Sequence, residues 1–179
     1  VLTQEQWKGV VDFARAADAK IVTSFATSPG VRDRSGVWTS VEADKFLAYT
    51  RSIGGEIAAT EYMNEPTLAS MGGAPKGYDV AAYARDVKVF APYLKKTSPQ
   101  TVFLGPGGVG EGGALPVPTK DTLSSKDILA AIGPVFDAFS YHYSGAASER
   151  CGKVMPDAMT TQAAALSRTS NSNKASSRP

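Results

Sequence analysis

The residues best suited to chemistry form one short stretch, Asn64, Glu65 and Pro66, which follows an apolar run. The run Ile57–Met63 predicts a strand, and Pro66 lacks the N–H group that a neighbouring strand would need, so the strand must end before it. A carboxylate beside a carboxamide at the end of a strand suits proton transfer to a bound substrate. An isolated glutamate in such a place is more often a solvated loop residue or a helix-cap partner, and that alternative stays open.

Helical and strand patterns alternate along the chain and would position this stretch. Thr3 and Gln6 form a capping box, and Thr39 with Glu42 predicts a second one. Apolar spacing then predicts four helices and four strands. The predicted helices begin near Thr3, Thr39, Asp79 and Ser125, and the predicted strands are Lys20–Phe25, Ile57–Met63, Thr101–Gly105 and Phe136–Tyr143.

This alternation predicts the α/β class, with a parallel sheet and helical crossovers, because parallel strands need a long connection. The four strands end in Ser24, Asn64–Glu65, Gly105–Pro106 and His142–Tyr143. A β/α barrel and a doubly wound open sheet both place sites at the carboxyl ends of strands. The spacing of the elements therefore leaves both architectures open.

Composition excludes several classes of function. The 19 Lys and Arg residues are scattered through 179 residues with a net charge of +2, so no basic stripe for nucleic acid is present. No run approaches the roughly 18 apolar residues of a membrane helix, and no signal peptide is visible. One cysteine and one histidine cannot make a disulfide or a Cys/His zinc site within these residues. We therefore predict no metal and no cofactor.

Three segments resemble a known family. The segment Thr60–Pro66 is similar to the Asn-Glu-Pro signature that ends the fourth barrel strand of clan A glycoside hydrolases. Within that clan, Phe139–Gly145 resembles the sixth strand of the heparanase-like β-glucuronidases, glycoside hydrolase family 79, and Ala147–Cys151 fits the same family. The similarity covers roughly residues 1 to 166 and implies a partial (β/α)8 TIM barrel of about four βα units, strands three to six.

The resemblance also implies a chemistry. Glu65 would be the general acid/base of a retaining glycoside hydrolase, and Asn64 would bind the sugar hydroxyl beside the anomeric carbon. His142 and Tyr143 would line the sugar subsite. The implied substrate is an oligo- or polysaccharide that contains uronic acid, and the implied location is secreted or periplasmic. For His142, a satisfied structural histidine between aromatic neighbours is the slightly favoured alternative.

A second carboxylate, Glu61, precedes Glu65 by four residues. Four residues of an extended strand span about 13 Å, whereas the two carboxyl groups of a retaining pair lie about 5–5.5 Å apart. Glu61 is therefore expected to be a buried, paired structural carboxylate and not the nucleophile.

The chain departs from the family in one respect. The family holds its nucleophile at the end of the seventh strand, and after Tyr143 the only acids are Glu149 and Asp157, neither of which ends a strand pattern. The nucleophile is missing, and the polar tail 167–179 is expected to be disordered. A half barrel leaves strand edges unpaired, so we expect self-association or a complementing half-barrel chain.

Two other functions remain open. The first is a non-catalytic, truncated fragment that binds carbohydrate or another partner, with Trp38, Tyr62 and Tyr143 stacking on sugars. The second is a clan A hydrolase that acts on neutral β-glycans.

Overall fold

The centre of the fold is a four-stranded parallel sheet. A computed structural model describes residues 2–111 and 122–142. In chain order the elements are α1 (Gln4–Ala16), β1 (Ile21–Ser24), α2 (Val41–Ser52), β2 (Ile57–Glu61), α3 (Val80–Thr97), β3 (Val102–Val109), α4 (Ser125–Ile132) and β4 (Ala138–His142). Two short 3-10 helices, Pro29–Val31 and Pro66–Leu68, lie in the connections.

The strands lie in the order β1-β2-β3-β4, and every neighbouring pair is parallel. The predicted α/β class with parallel strands is therefore confirmed. A helix precedes each strand and returns the chain across the sheet, so the carboxyl ends of all four strands meet at one edge. The predictions for Tyr143, Glu149, Asp157 and the tail 167–179 concern residues outside the part of the chain that the structure describes.

The two predicted capping boxes had different outcomes. The first is confirmed, since Gln6 N donates to Thr3 Oγ1 at 3.2 Å and Thr3 N donates to Gln6 Oε1 at 2.8 Å. The second is wrong, because Thr39 Oγ1 donates instead to the Val31 carbonyl at 3.0 Å. Helix α2 begins one residue later than that box required, after Ser40.

The hydrophobic core lies between the sheet and the helices, and Phe90 of α3 is at its centre. Phe90 is fully buried, and its ring centroid lies 5.0–5.4 Å from those of Phe25, Trp38, Tyr62 and Phe103. These contacts hold α3 against three strands and their loops. Trp38 is 2% exposed and Tyr62 is 0% exposed, so the expectation that they stack on sugars is wrong.

A buried carboxylate, Asp86 of α3, joins the two loops that leave β1 and β2. Its oxygens accept hydrogen bonds from Arg32 at 2.6 Å, Tyr78 at 2.8 Å and Tyr62 at 3.1 Å, and from the Trp38 amide at 3.3 Å. Burial favours the neutral acid, but the hydrogen bonds from Arg32 and Tyr78 outweigh it and lower the pKa of Asp86 below its ordinary value. The loops around the carboxyl ends of β1 and β2 thus share one anchor.

None of the helices in residues 2–111 and 122–142 combines the length and the apolar character that crossing a membrane requires.

We expect Asp86→Ala to lower the free energy of unfolding by about 3–5 kcal/mol, because it leaves the Arg32 charge buried without its partner. Denaturant unfolding followed by circular dichroism measures the change. The matched control is Asp12→Ala, which breaks exposed pairs with Lys8 and Arg15 and should leave stability nearly unchanged. Equal losses in the two variants would contradict the role given to Asp86.

Candidate functional site

The candidate site lies at the carboxyl ends of β2 and β4, around the imidazole of His142. Strand β2 ends at Glu61, two residues before the predicted end at Met63, and the chain bends through Tyr62 and Met63. Strand β4 ends at His142 itself. The bend after β2 brings Glu65 back toward the sheet edge, so that residues from two strands and one turn meet.

Glu65 has a strained backbone, with φ 47° and ψ 64° in the left-handed region. For a residue with a side chain this conformation costs about 1–2 kcal/mol. The surrounding turn holds it there: Pro66 starts a 3-10 helix, Leu68 N donates to the Glu65 carbonyl at 2.8 Å, and Val109 N donates to Thr67 Oγ1 at 2.9 Å. Strain of this kind gathers at functional sites because it fixes the direction of a side chain.

His142 lies between two carboxylates. Its Nδ1 is 3.1 Å from Glu65 Oε1, and its Nε2 is 3.1 Å and 3.2 Å from the two carboxylate oxygens of Glu61. Ser140 Oγ donates to Glu61 Oε1 at 2.7 Å. The side chain of Glu61 is 9% exposed, whereas those of His142 and Glu65 are 31% and 32% exposed. The Glu65 end of this chain of hydrogen bonds is therefore more open to a substrate than the Glu61 end.

A glycine of β3 makes this arrangement possible. Glu61 lies on β2 and its partners lie on β4, so its carboxylate must pass over the intervening β3. At Gly107 an added Cβ would lie 2.7 Å from the Glu61 carboxylate atoms, and φ is +73°. A side chain at this position would displace the carboxylate, and the backbone conformation also favours glycine.

The two carboxylates set the charge of the imidazole. Partial burial disfavours the charged ring, but the hydrogen bond to Glu65 and the negative charge of Glu61 outweigh burial and raise the pKa of His142 above its ordinary 6.5. The charged form of His142 therefore extends to higher pH than it would for a free histidine.

The separation predicted for Glu61 and Glu65 along an extended strand is wrong. Strand β2 ends at Glu61, and a left-handed turn at Glu65 follows. The two side chains consequently reach opposite nitrogens of one ring. The expectation that Glu61 is a buried, paired carboxylate is confirmed. The third strand was predicted to end at Gly105, whereas β3 continues to Val109 and contains Gly107. A glycine inside a strand signals a close approach from a neighbour, and the early predicted end of the strand hid this signal.

The other predicted site residues differ in their exposure and in their hydrogen bonds. Asn64 is exposed, and within the described part of the chain its side chain has no hydrogen-bond partner, so it is free to meet a ligand. Tyr143 lies outside the described residues. Both ring nitrogens of His142 face carboxylates, which favours the alternative of a satisfied histidine over direct contact with a sugar hydroxyl.

The arrangement suits proton transfer. Glu65 uses one oxygen for His142, and no described residue bonds the other, so Oε2 can exchange a proton with an incoming group. Across residues 2–111 and 122–142, no group of three or more His, Cys, Asp or Glu side chains is arranged to hold a metal ion.

No family model matches the chain, and no curated protein matches it significantly. The family resemblance therefore stays a prediction, and the function below is argued from the site.

The strain at Glu65 has a measurable consequence. We expect Glu65→Gly to be more stable than Glu65→Ala by about 1 kcal/mol, because both remove the carboxylate and only glycine adopts a positive φ without cost. The control is Lys88, an exposed residue within α3, where alanine should be the more stable by about 1 kcal/mol. Chemical denaturation of the four variants gives both differences, and alanine being favoured at both positions would contradict the strained turn.

Proposed function

We propose that this protein is a glycoside hydrolase in which Glu65 is the general acid/base. Glu65 donates a proton to the glycosidic oxygen as the bond to the leaving sugar breaks, and then takes a proton from the water that attacks the anomeric carbon. One observation carries the proposal: the Glu65 carboxylate is held by a strained turn at the carboxyl end of a parallel strand, one third exposed, with one oxygen bonded to His142. Asn64, exposed beside it, is assigned to the neighbouring sugar hydroxyl.

We further propose that the four strands belong to a (β/α)8 barrel. Doubly wound sheets reverse their strand order at a switch point, whereas a barrel keeps neighbouring strands in chain order. The unbroken order β1-β2-β3-β4 supports the barrel. The two outer strands expose apolar side chains, with Val22 of β1 and Phe139 of β4 each 60% exposed, and these are surfaces that further elements of a barrel would cover.

A retaining mechanism needs a nucleophile that we do not assign to any residue of this chain. Glu61 is unsuitable because its carboxylate is buried and fully engaged by Ser140 and His142. The proposed source is the remainder of a barrel in a complementing chain, because a second copy of this chain would add only the same carboxylates.

The proposed substrate is a polysaccharide that contains uronic acid. A cavity of about 370 Å³ between the β1–α2 loop and the start of α3 supports this class, since Arg34, Lys76 and Arg85 line it with a single acid, Asp33. Arg32 also lines the cavity, but its charge is paired with buried Asp86. These loops lie at the same sheet edge as Glu65. A positive lining favours carboxylate groups along a sugar chain and speaks against neutral β-glycans.

A truncated fragment that only binds carbohydrate has less support. Two of the three aromatic residues proposed for it, Trp38 and Tyr62, are buried in the core. Their rings pack against Phe90 and have no face for a sugar.

Assembled with the chain that completes its barrel, the protein is expected to hydrolyse an aryl β-glucuronide in preference to the matching β-glucoside and β-xyloside. Glu65→Gln should lower kcat by about 10²–10⁴-fold, because the amide cannot transfer the proton. The control, Glu42→Gln, removes an exposed carboxylate on α2 that pairs with Lys45 and should leave kcat unchanged.

Release of the aryl alcohol measures these rates. Hydrolysis of none of the three substrates, or a rate that Glu65→Gln leaves unchanged, would overturn the proposed function. Preference for the glucoside or xyloside would keep the reaction and contradict the substrate class.

A further inference from the structure

We propose that Glu61 and His142 form a positioning pair for Glu65: Glu61 holds the imidazole protonated and turned so that Nδ1–H donates to Glu65 Oε1. The contacts that carry this pair stand without any assumption about substrate. Its consequence for catalysis rests on the proposed function, because it fixes the residue proposed to transfer the proton.

The carboxylate of Glu61 is held in a fixed position. It is nearly buried, accepts a hydrogen bond from Ser140 at 2.7 Å, and fits above Gly107, where no side chain is tolerated. A buried carboxylate must be paired and hydrogen-bonded to remain charged. Glu61 has one further partner in the described residues, the Nε2 side of His142, so it fixes the ring from that side.

The hydrogen-bonding capacity of His142 depends on its protonation state. An ionised carboxylate only accepts hydrogen bonds, and a neutral imidazole has one donor nitrogen and one acceptor nitrogen. Both nitrogens of His142 face carboxylate oxygens at 3.1–3.2 Å. With both carboxylates ionised, only the imidazolium, with an N–H on each nitrogen, satisfies both contacts. The geometry therefore requires a proton held within this group of three side chains.

The described part of the chain places two carboxylates beside His142. Among the described residues, the ionisable side chains that face His142 are Glu61 from β2 and Glu65 from the turn after it. Strand β3, which lies beside β4, has no ionisable residue from Val102 to Val109. The charge of the imidazole is thus set by these two carboxylates, in agreement with the raised pKa of His142.

The protonation state of His142 affects catalysis through the position of Glu65. A neutral His142 keeps one N–H, which the buried carboxylate of Glu61 holds at Nε2. The donor that fixes Glu65 Oε1 is then lost, and the Glu65 carboxylate can turn away from the substrate. Activity should therefore fall as pH rises through the pKa of His142. Glu61→Gln, which removes the stabilising charge, should move that fall to lower pH.

The test uses the fact that the chain has one histidine. The NMR signal of the imidazole carbons therefore reports His142 alone, without substrate or turnover. We expect a titration midpoint above 6.5 in the unmodified protein, and a midpoint lowered by about one pH unit or more in Glu61→Gln, since an adjacent opposite charge typically shifts a pKa by that amount. Glu65→Gln should lower the midpoint as well, and it provides the test if Glu61→Gln does not fold.

The matched control is Glu56→Gln. Glu56 is exposed just before the amino end of β2, the strand that ends in Glu61, so its removal should leave the midpoint in place. A midpoint at or below 6.5 in the unmodified protein, or one that the folded Glu61 and Glu65 variants do not change, would overturn the pair.

The kinetic measurement separates this inference from the proposed function. With the aryl glycoside, Glu61→Gln should lower kcat with little change in KM and shift the alkaline limb of the pH profile to lower pH. Lowered NMR midpoints without any glycoside hydrolysis would overturn the proposed function and support the pair. Hydrolysis that requires Glu65, with midpoints indifferent to Glu61, would overturn the pair and leave the proposed function standing.

Discussion

The site depends on one constraint: a buried carboxylate on β2 must find its partners on β4, across a strand that lies between them. Glu61 meets this constraint by passing over Gly107, where β3 has no side chain, and by bonding Ser140 and His142. Because Glu61 occupies one side of the imidazole, the other side is directed toward Glu65. The position of the proposed acid/base residue thus follows from a hydrogen-bonding requirement inside the sheet.

The rest of the fold makes this arrangement rigid. Phe90 holds α3 against the sheet, and Asp86 of the same helix bonds groups from the loops after β1 and β2. These loops surround the turn that contains Glu65. A strained φ at Glu65 persists because the turn that follows it is fixed, by the hydrogen bond from Leu68 N to the Glu65 carbonyl and by the contact of Thr67 with β3. Strain, core and buried charge therefore act together on the direction of one carboxylate.

Local signals in the sequence predicted most of the elements. Helix α4 was expected at Ser125–Ile132 and is found there, and the first capping box formed as its residues indicated. These features depend on neighbours within one turn of chain. The α/β class also followed from the alternation of periods, which is a property of each segment by itself.

Long-range features could not be predicted in the same way. Thr39 does not form the expected cap, because its hydroxyl donates to the carbonyl of Val31, eight residues earlier. Trp38 and Tyr62 lie in the core because α3 packs over them. The grouping of Glu61 with Glu65 required the end of β2 and the register of β4, neither of which spacing along one strand reveals. Residue types and spacing could single out candidates for the site, whereas their mutual contacts came from tertiary structure.

The central claim is that Glu65 gives its proton to the leaving group, and the dependence of the rate on leaving-group acidity tests it most directly. A series of aryl glycosides should show a weak dependence in the unmodified protein, because the acid assists poor leaving groups most. In Glu65→Ala, kcat/KM for substrates with poor leaving groups should collapse, while kcat/KM for a dinitrophenyl glycoside is largely retained. An equal loss across the whole series would contradict the claim, because it would show that Glu65 does not protonate the departing oxygen.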